Sequence, residues 1–347
     1  MIVTLSAEAP QSTLTAIAAT AGGLGLVARS MPDGHGGAVV GIDGILPVDS
    51  LALPGITAVH QTHKPYMLAS REHRTASIVR VGNVEIGAGR PVIMAGPCVV
   101  EGREALIESA RAVKAAGGVI LRGGAFKPRT SPYAFQGLGE EGLRCLAAAR
   151  EVTGLPVVTE VLEPDQVELV ASYADMIQIG ARNMANFPLL RRVGKANKPV
   201  LLKRGFSATV EEWLMSAEYV LAGGNSNVVL CERGIRSFDP ATRFSLDLNV
   251  VPLTKELSHL PVIVDPSHGT GRRSIVAQMA LAGLAAGADG LIIEVHPQPE
   301  AAMCDGAQTI TPSELASIRR RADLLHAALN DEIEPALTLI EEVGLVA

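Results

Sequence analysis

From about residue 90 onward, short apolar runs alternate with amphipathic stretches, the pattern of repeated strand-then-helix units. Eight strands are predicted in order: VIMAGP (92–97), VILRGG (119–124), PVVTEV (156–161), MIQIGA (176–181), PVLLKR (199–204), NVVLCER (227–233), PVIVDPS (261–267) and GLIIEVH (290–296). Helical patterns follow most of them, clearest in TVEEWLMSAEYVLAGG, which ends in the glycine pair expected beyond a helix terminus. Eight parallel units imply a (β/α)8 barrel over residues 91–347, with 312–330 as its last helix and the tail as another short helix. Ahead of it, ASIVRVGNVEIGAG alternates around Gly82-Asn83 and reads as a hairpin able to plug the barrel floor, within a linker over 71–90. Residues 1–70 differ, with strands predicted at IVTL, LVARSM, AVVGI and ITAVHQ, one clear helix at 11–22 and one weak one, forming a small separate α/β unit. Its boundary falls in the polar, proline-containing THKPYMLASREHR.

Composition narrows the function. The 347 residues are 48% hydrophobic but only 3% aromatic, so the core is built from small and branched side chains, as in parallel sheets covered by helices. The formal net charge is −6 with no basic face, which argues against a nucleic-acid partner. The start carries no basic leader, and the best apolar run, 275–293, is broken by Gln278 and Asp289, so a cytoplasmic protein with no membrane association is expected. Cys98, Cys145, Cys231 and Cys304 have no paired spacing, which excludes a zinc ribbon or a disulfide framework as the organising principle.

In this architecture side chains at the strand C-terminal ends converge on one mouth. Those ends carry Cys98, Arg122, Glu160, Arg182, Lys203, Arg233, Asp265 with His268, and Glu294 with His296. Any one of these could be a structural ion pair, but structural pairing has no reason to choose the same end of every strand. Arg122, Lys127, Arg129, Arg182, Lys203 and Arg233 form a cationic set that outnumbers nearby carboxylates, which points to phosphorylated acids rather than neutral sugars. Pro128 fixes the backbone of KPRT between Lys127 and Arg129, so the two cations can face different anions. Cys98, His268, Glu294 and Asp305 form a second set of mixed softness, suited to manganese, iron, cobalt or zinc. A lone cysteine is often only a small buried hydrophobe, but His268 lies in a glycine-rich turn, DPSHGTG, where a core histidine would be awkward. Glu294 and His296 should share a strand face, so either could be the ligand with the other behind it.

IMAGPCVVEGREA, LRGGAFKPRTSPYAFQGLGEEGL, QIGARNM, KPVLLKRG, LCERGIRSF, VDPSHGTGRR and IIEVHPQPE with CDGAQ closely resemble, in this order, the type I 3-deoxy-D-arabino-heptulosonate 7-phosphate (DAHP) synthases. The nearest form is the beta subgroup with a ferredoxin-like N-terminal α+β domain. The resemblance covers about residues 77–330, and 1–70 more loosely. It implies a transferase that condenses phosphoenolpyruvate with erythrose 4-phosphate and releases phosphate, the first step of the shikimate pathway. By the same resemblance Cys98, His268, Glu294 and Asp305 hold one divalent metal ion. Arg122, Lys127, Arg182, Lys203 and Arg233 hold phosphoenolpyruvate, and Arg129 with Thr130 contacts erythrose 4-phosphate. Lys127, Glu160 and His268 are the candidates for proton movement, with Glu160 orienting water.

The resemblance further implies a feedback-regulatory N-terminal domain that binds an aromatic amino acid and an assembly of two or four subunits. It leaves room for a separate chorismate mutase partner. Cys304 stands before Asp305 where a serine is common in the family, so a Cys98–Cys304 disulfide that ejects the metal is a second expectation. Two rival readings are 3-deoxy-D-manno-octulosonate 8-phosphate synthase, which acts on arabinose 5-phosphate, and a non-catalytic effector-binding scaffold. KPRT, where the first rival typically has an ANRS-like stretch, favours the four-carbon sugar. A scaffold should have lost a ligand or a cation, and none is missing.

Overall fold

The computed structural model describes residues 1–129 and 131–330. The N-terminal unit runs β1 (Ile2–Leu5), α1 (Gln11–Gly23), β2 (Ala28–Pro32), β3 (Ala38–Ile42), a 3-10 turn (Val48–Leu51) and β4 (Ile56–His60). Its sheet has the order β2-β3-β1-β4 with every neighbour antiparallel. The weak second helix is the 3-10 turn, because Pro47 and Pro54 leave too few residues between them to propagate an α-helix. Strand alternation gives this sheet two buried faces. Val3, Leu5, Val40 and Ile42 pack with Ile17 and Ala21 of α1, whereas Ile2 and Val39 point the other way and join the core shared with the barrel.

The connection to the barrel is stitched at one peptide. Leu68 and Ala69 donate their backbone N–H groups to the Glu218 carboxylate at 2.8 and 2.9 Å, and the Leu68 carbonyl accepts from the rings of His73 and His259, each at 2.8 Å. Beyond it, β5 (Val79–Val81) and β6 (Val84–Ile86) pair as an antiparallel hairpin. Val79, Val81 and Ile86 are buried against the inward side chains of the barrel strands and close its floor.

The barrel is a closed ring of eight strands: β7 (Val92–Gly96), β8 (Ile120–Arg122), β9 (Val157–Val161), β10 (Met176–Ile179), β11 (Val200–Lys203), β12 (Val228–Glu232), β13 (Val262–Val264) and β14 (Gly290–Glu294). All eight neighbouring pairs are parallel, and β14 closes on β7. Around it lie α2 (Arg103–Ala115), α3 (Glu140–Thr153), α4 (Val167–Tyr173), α5 (Phe187–Val193), α6 (Val210–Leu221), α7 (Val250–Leu257), α8 (Pro266–Thr270), α9 (Arg273–Ala285) and α10 (Pro312–Leu329). Reciprocal capping boxes start α6 (Thr209 with Glu212) and α10 (Thr311 with Glu314), satisfying otherwise orphaned N–H groups. Trp213, fully buried, donates its indole N–H to the Leu202 carbonyl at 3.1 Å and so ties α6 to the strand that ends in Lys203. The short helix expected after residue 330 lies outside the described residues. No described helix is long and apolar enough to cross a membrane.

Candidate active site

The inward side chains of the floor layer include Ile120, Val158, Met176, Leu201, Cys231, Ile263 and Ile292, one from each of seven strands. Moving two residues toward each strand's C-terminus keeps the same face and reaches Arg122, Glu160, Gln178, Lys203, Arg233, Asp265 and Glu294. One periodicity thus turns an apolar plug into a ring of polar groups. All of these but Glu160 are buried, and Glu160 is half-buried, so each must be paired or await a ligand.

Two overlapping clusters emerge. The ligand atoms of Cys98, Cys304 and Asp305 lie within 4.8 Å of one another, as do those of His268, Glu294 and Asp305. All four expected metal ligands therefore meet around Asp305, and Cys304 joins them. This set of thiol, imidazole and carboxylate donors fits a borderline divalent ion. Asp305 is the sole described non-glycine residue with positive φ, at 53°, the tight bend that turns its carboxylate back toward Cys98 at 3.2 Å. His268 is oriented from behind: its Nδ1 bonds Asp265 at 2.8 Å, which leaves Nε2 facing Glu294 at 3.3 Å. Burial would raise the Asp265 carboxyl, but His268 and Lys203 hold it well below the usual carboxylate range. Glu294 is steadied by Gln308, whose Nε2 donates to it at 2.7 Å, and by Arg122 at 3.2 Å. Asp265 as orienter, Gln178 and Gln308 were not assigned roles from sequence. The first two are reachable by the two-residue step, whereas Gln308 lies outside any strand and had no sequence signal.

The cations are less free than their number predicts. Arg122 is paired with Glu294, Lys203 with Asp265, and Lys127 with Asp305 at 3.3 Å while it donates to the Cys98 sulfur at 2.8 Å. Burial would depress the Lys127 ammonium, yet Cys98, Glu294 and Asp305 together hold its pKa above the usual lysine range. Arg129 is exposed and donates to the Cys304 sulfur at 2.8 Å; Thr130 lies outside the described residues. Among the described residues no carboxylate is in ion-pair contact with Arg182, which is exposed, or Arg233, which is buried. So three of the six cations are matched by carboxylates; among the described residues the other three, Arg129, Arg182 and Arg233, are not, and the set still outnumbers its carboxylate partners.

Glu160 accepts from Gln178 Nε2 at 3.1 Å. Burial pushes its carboxyl above the ordinary range, even with Lys127, Lys203, Arg122 and Arg182 opposing. A Cβ at Gly180 would stand 1.9 Å from Glu160 Oε1, so only glycine leaves room for that carboxylate. His296 does not share the mouth with Glu294. β14 ends at Glu294, the alternation lapses, and the His296 ring turns to Glu101, its Nε2 3.5 Å away. Glu294 alone of that pair belongs to the metal-capable cluster. All four cysteines are free thiols.

A family model described as the DAHP synthetase I family matches residues 62–328. The chain belongs to that family. It is 52% identical over 274 residues, 78% of this chain and 81% of the relative, to the phospho-2-dehydro-3-deoxyheptonate aldolase of Thermotoga maritima. It is 33% identical over 271 residues, 73% of this chain and 98% of the relative, to the 2-dehydro-3-deoxyphosphooctonate aldolase of Citrifermentans bemidjiense. A crystal structure of the Thermotoga maritima phospho-2-dehydro-3-deoxyheptonate aldolase (DAHP synthase) superposes with a TM-score of 0.74 at 45% identity, covering 94% of this chain and 98% of that one. The family is generally dependent on a divalent metal, and this chain carries residue groups able to hold one.

Proposed function

We infer that the chain is a DAHP synthase, a cytoplasmic transferase joining phosphoenolpyruvate to erythrose 4-phosphate at the entry to aromatic amino acid biosynthesis. The observation that carries this reading is the meeting of Cys98, His268, Glu294 and Asp305 in two clusters sharing Asp305, with Lys127 bridging Cys98 and Asp305. A manganese, iron, cobalt or zinc ion held by those four residues would supply Lewis-acid polarisation of the aldehyde oxygen. Arg122, Lys127, Arg182, Lys203 and Arg233 hold phosphoenolpyruvate through its carboxylate and phosphate, and Arg129 with Thr130 holds the phosphate of the sugar. Held side by side, the two substrates lose most of the entropic barrier to a bimolecular step. Carbon 3 of phosphoenolpyruvate bonds to the aldehyde carbon, water adds to carbon 2, and the carbon–oxygen bond to phosphate breaks. Glu160, its pKa raised by burial, orients and deprotonates that water, with Gln178 fixing the carboxylate. Lys127 and His268 are the further candidates for moving protons. The cations stabilise the departing phosphate.

The five-carbon reading has weaker support, since the octulosonate relative is 33% identical against 52% for the heptonate one. The N-terminal sheet order, with one crossover reduced to a 3-10 turn, supports a ferredoxin-like domain. An aromatic amino acid effector there, a homodimer or homotetramer and a chorismate mutase partner extend the same proposal. The decisive test assays chelator-stripped protein with phosphoenolpyruvate and either erythrose 4-phosphate or arabinose 5-phosphate, with and without manganese, following enol absorbance and phosphate release. Metal-dependent turnover with the four-carbon sugar alone is expected. Turnover with arabinose 5-phosphate would select the rival synthase, and none with either would select a binding scaffold.

A further inference from the structure

The cations of the mouth are held by different means, and Arg233 is the exception. Arg122 and Lys203 are buried beside carboxylates. Arg233 is equally buried, yet Asp265, whose charge acts on it, is already bonded by Lys203 and His268. Among the described residues its one direct side-chain hydrogen bond is a long one, 3.4 Å, to the Gly234 carbonyl. A desolvated guanidinium held this way should be costly.

Two aromatic rings take the place of a carboxylate. The Arg233 guanidinium carbon lies 4.2 Å from the centre of the Phe244 ring and 4.9 Å from that of Phe206, both within cation–π range. The rings stack on each other, with centroids 5.0 Å apart and planes 14° from parallel. Arg182, which also lacks a carboxylate among the described residues, stands 5.4 Å over Phe206. Exposed Arg236 lies 5.7 Å from the Phe206 ring centre and exposed Arg243 5.8 Å from that of Phe244.

The backbone is built to bring these rings together. Phe206 follows β11, whereas Phe244 lies on the return limb of the loop after β12. That loop is closed by reciprocal 2.9 Å bonds between Ile235 and Ser245, and it is tied to Phe206 by the Arg236 N–H donating to its carbonyl at 2.7 Å. Gly234 makes the approach possible: its φ is +90°, and a Cβ there would lie 2.8 Å from the Phe244 Cβ.

We propose that Phe206 and Phe244 are positioning residues for phosphoenolpyruvate, holding Arg233 and Arg182 on π faces so that these guanidiniums stay unneutralised for the substrate anion. A carboxylate in the same place would orient the arginines equally well but would compete with the substrate for them. A ring face attracts the cation, offers no fixed negative charge and leaves the N–H fork free. This inference rests on the reading of the mouth as a phosphoenolpyruvate site and adds two residues to it.

The test is calorimetric binding of phosphoenolpyruvate to the full-length, manganese-loaded protein, with steady-state kinetics beside it. Phe244→Leu and Phe206→Leu should raise both Kd and KM for phosphoenolpyruvate about 3- to 30-fold. Turnover at saturation and KM for erythrose 4-phosphate should stay within about twofold of wild type. Phe244→Tyr and Phe206→Tyr, which keep the π face, should restore wild-type affinity. Should a leucine variant fail to fold, the methionine variant carries the same comparison. Leucine variants that bind as tightly as wild type would overturn the proposal. So would tyrosine variants as weak as the leucine ones, because packing rather than the π face would then be responsible. Wild-type protein that does not bind phosphoenolpyruvate would instead overturn the reading of the mouth, and the proposal with it.

Discussion

The floor and the mouth of the barrel are built by the same eight strands, two residues apart. At the floor, Val79, Val81 and Ile86 of the hairpin press against Ile120, Val158, Met176, Leu201 and Ile292, an apolar contact with nothing to orient. At the mouth the same strand faces present Arg122, Glu160, Gln178, Lys203 and Glu294, and nearly every group is fixed by another. Asp265 holds both Lys203 and His268, Glu294 holds Arg122 and accepts from Gln308, and Gln178 holds Glu160. The floor should therefore govern whether the protein folds and the mouth what it does. Damage at the two ends should separate in measurement.

The largest effect is expected at the mouth. Lys203→Met leaves Asp265 buried with His268 but without its lysine, which should cost about 3 kcal/mol of stability and reduce turnover by roughly a thousandfold; calorimetric melting and steady-state kinetics on one preparation would show whether both fall. Next comes oxidation. A peroxide taking two electrons and two protons from Cys98 and Cys304, itself reduced to water, would form a disulfide and withdraw a metal ligand. Wild type should lose most of its activity and recover it with a thiol reductant, while Cys304→Ser should lose little. Equal sensitivity of the two proteins would remove Cys304 from that account.

Gly180→Ala comes third, pushing Glu160 off its position; turnover should drop by about a hundredfold, with the melting temperature shifting only slightly. The floor behaves oppositely. Ile86→Ala should destabilise by about 2–5 kcal/mol, yet kcat per folded molecule should stay close to wild type, and a comparable fall in kcat would erase the division between the two ends. The smallest effect lies at the stitched connection. Burial pushes the Glu218 carboxyl up to about 7, so the folded protein holds that proton more tightly than the unfolded chain does. Its contribution to stability is complete below about pH 4.5 and is lost as pH rises through about 7. Between pH 5 and 8 wild type should lose roughly 2 kcal/mol relative to Glu218→Gln when both are denatured at each pH, since His259 and His73 at the same connection, their pKa values lowered by burial, act in the opposite sense in both proteins. An unchanged slope would place the titration elsewhere.

Much of this was legible in the chain. The eight barrel strands and the hairpin segment follow from local patterns that persist after folding, since alternation and turn chemistry act over neighbouring residues, whereas the four metal-capable residues are marked by their donor chemistry and by the family resemblance. The second N-terminal helix failed because two prolines confine it to four residues. His296 failed because alternation was extended past the end of β14. Which three of the six cations find carboxylates was not legible, because Asp265 and Glu294, far apart in sequence from Lys203 and Arg122, reach them only across the ring.

Sequence alone determined which residues could face inward and what chemistry they could offer, because period two and residue type are local properties. Tertiary structure alone decided their partners. Ring closure placed Glu294 against Arg122 and Asp265 between Lys203 and His268, the bend at Asp305 turned a loop carboxylate onto Cys98, and the loop folded over Gly234 set two aromatic rings beneath an arginine. Pairing depends on distance through space, and a closed barrel brings together strand ends that the chain separates by up to about two hundred residues.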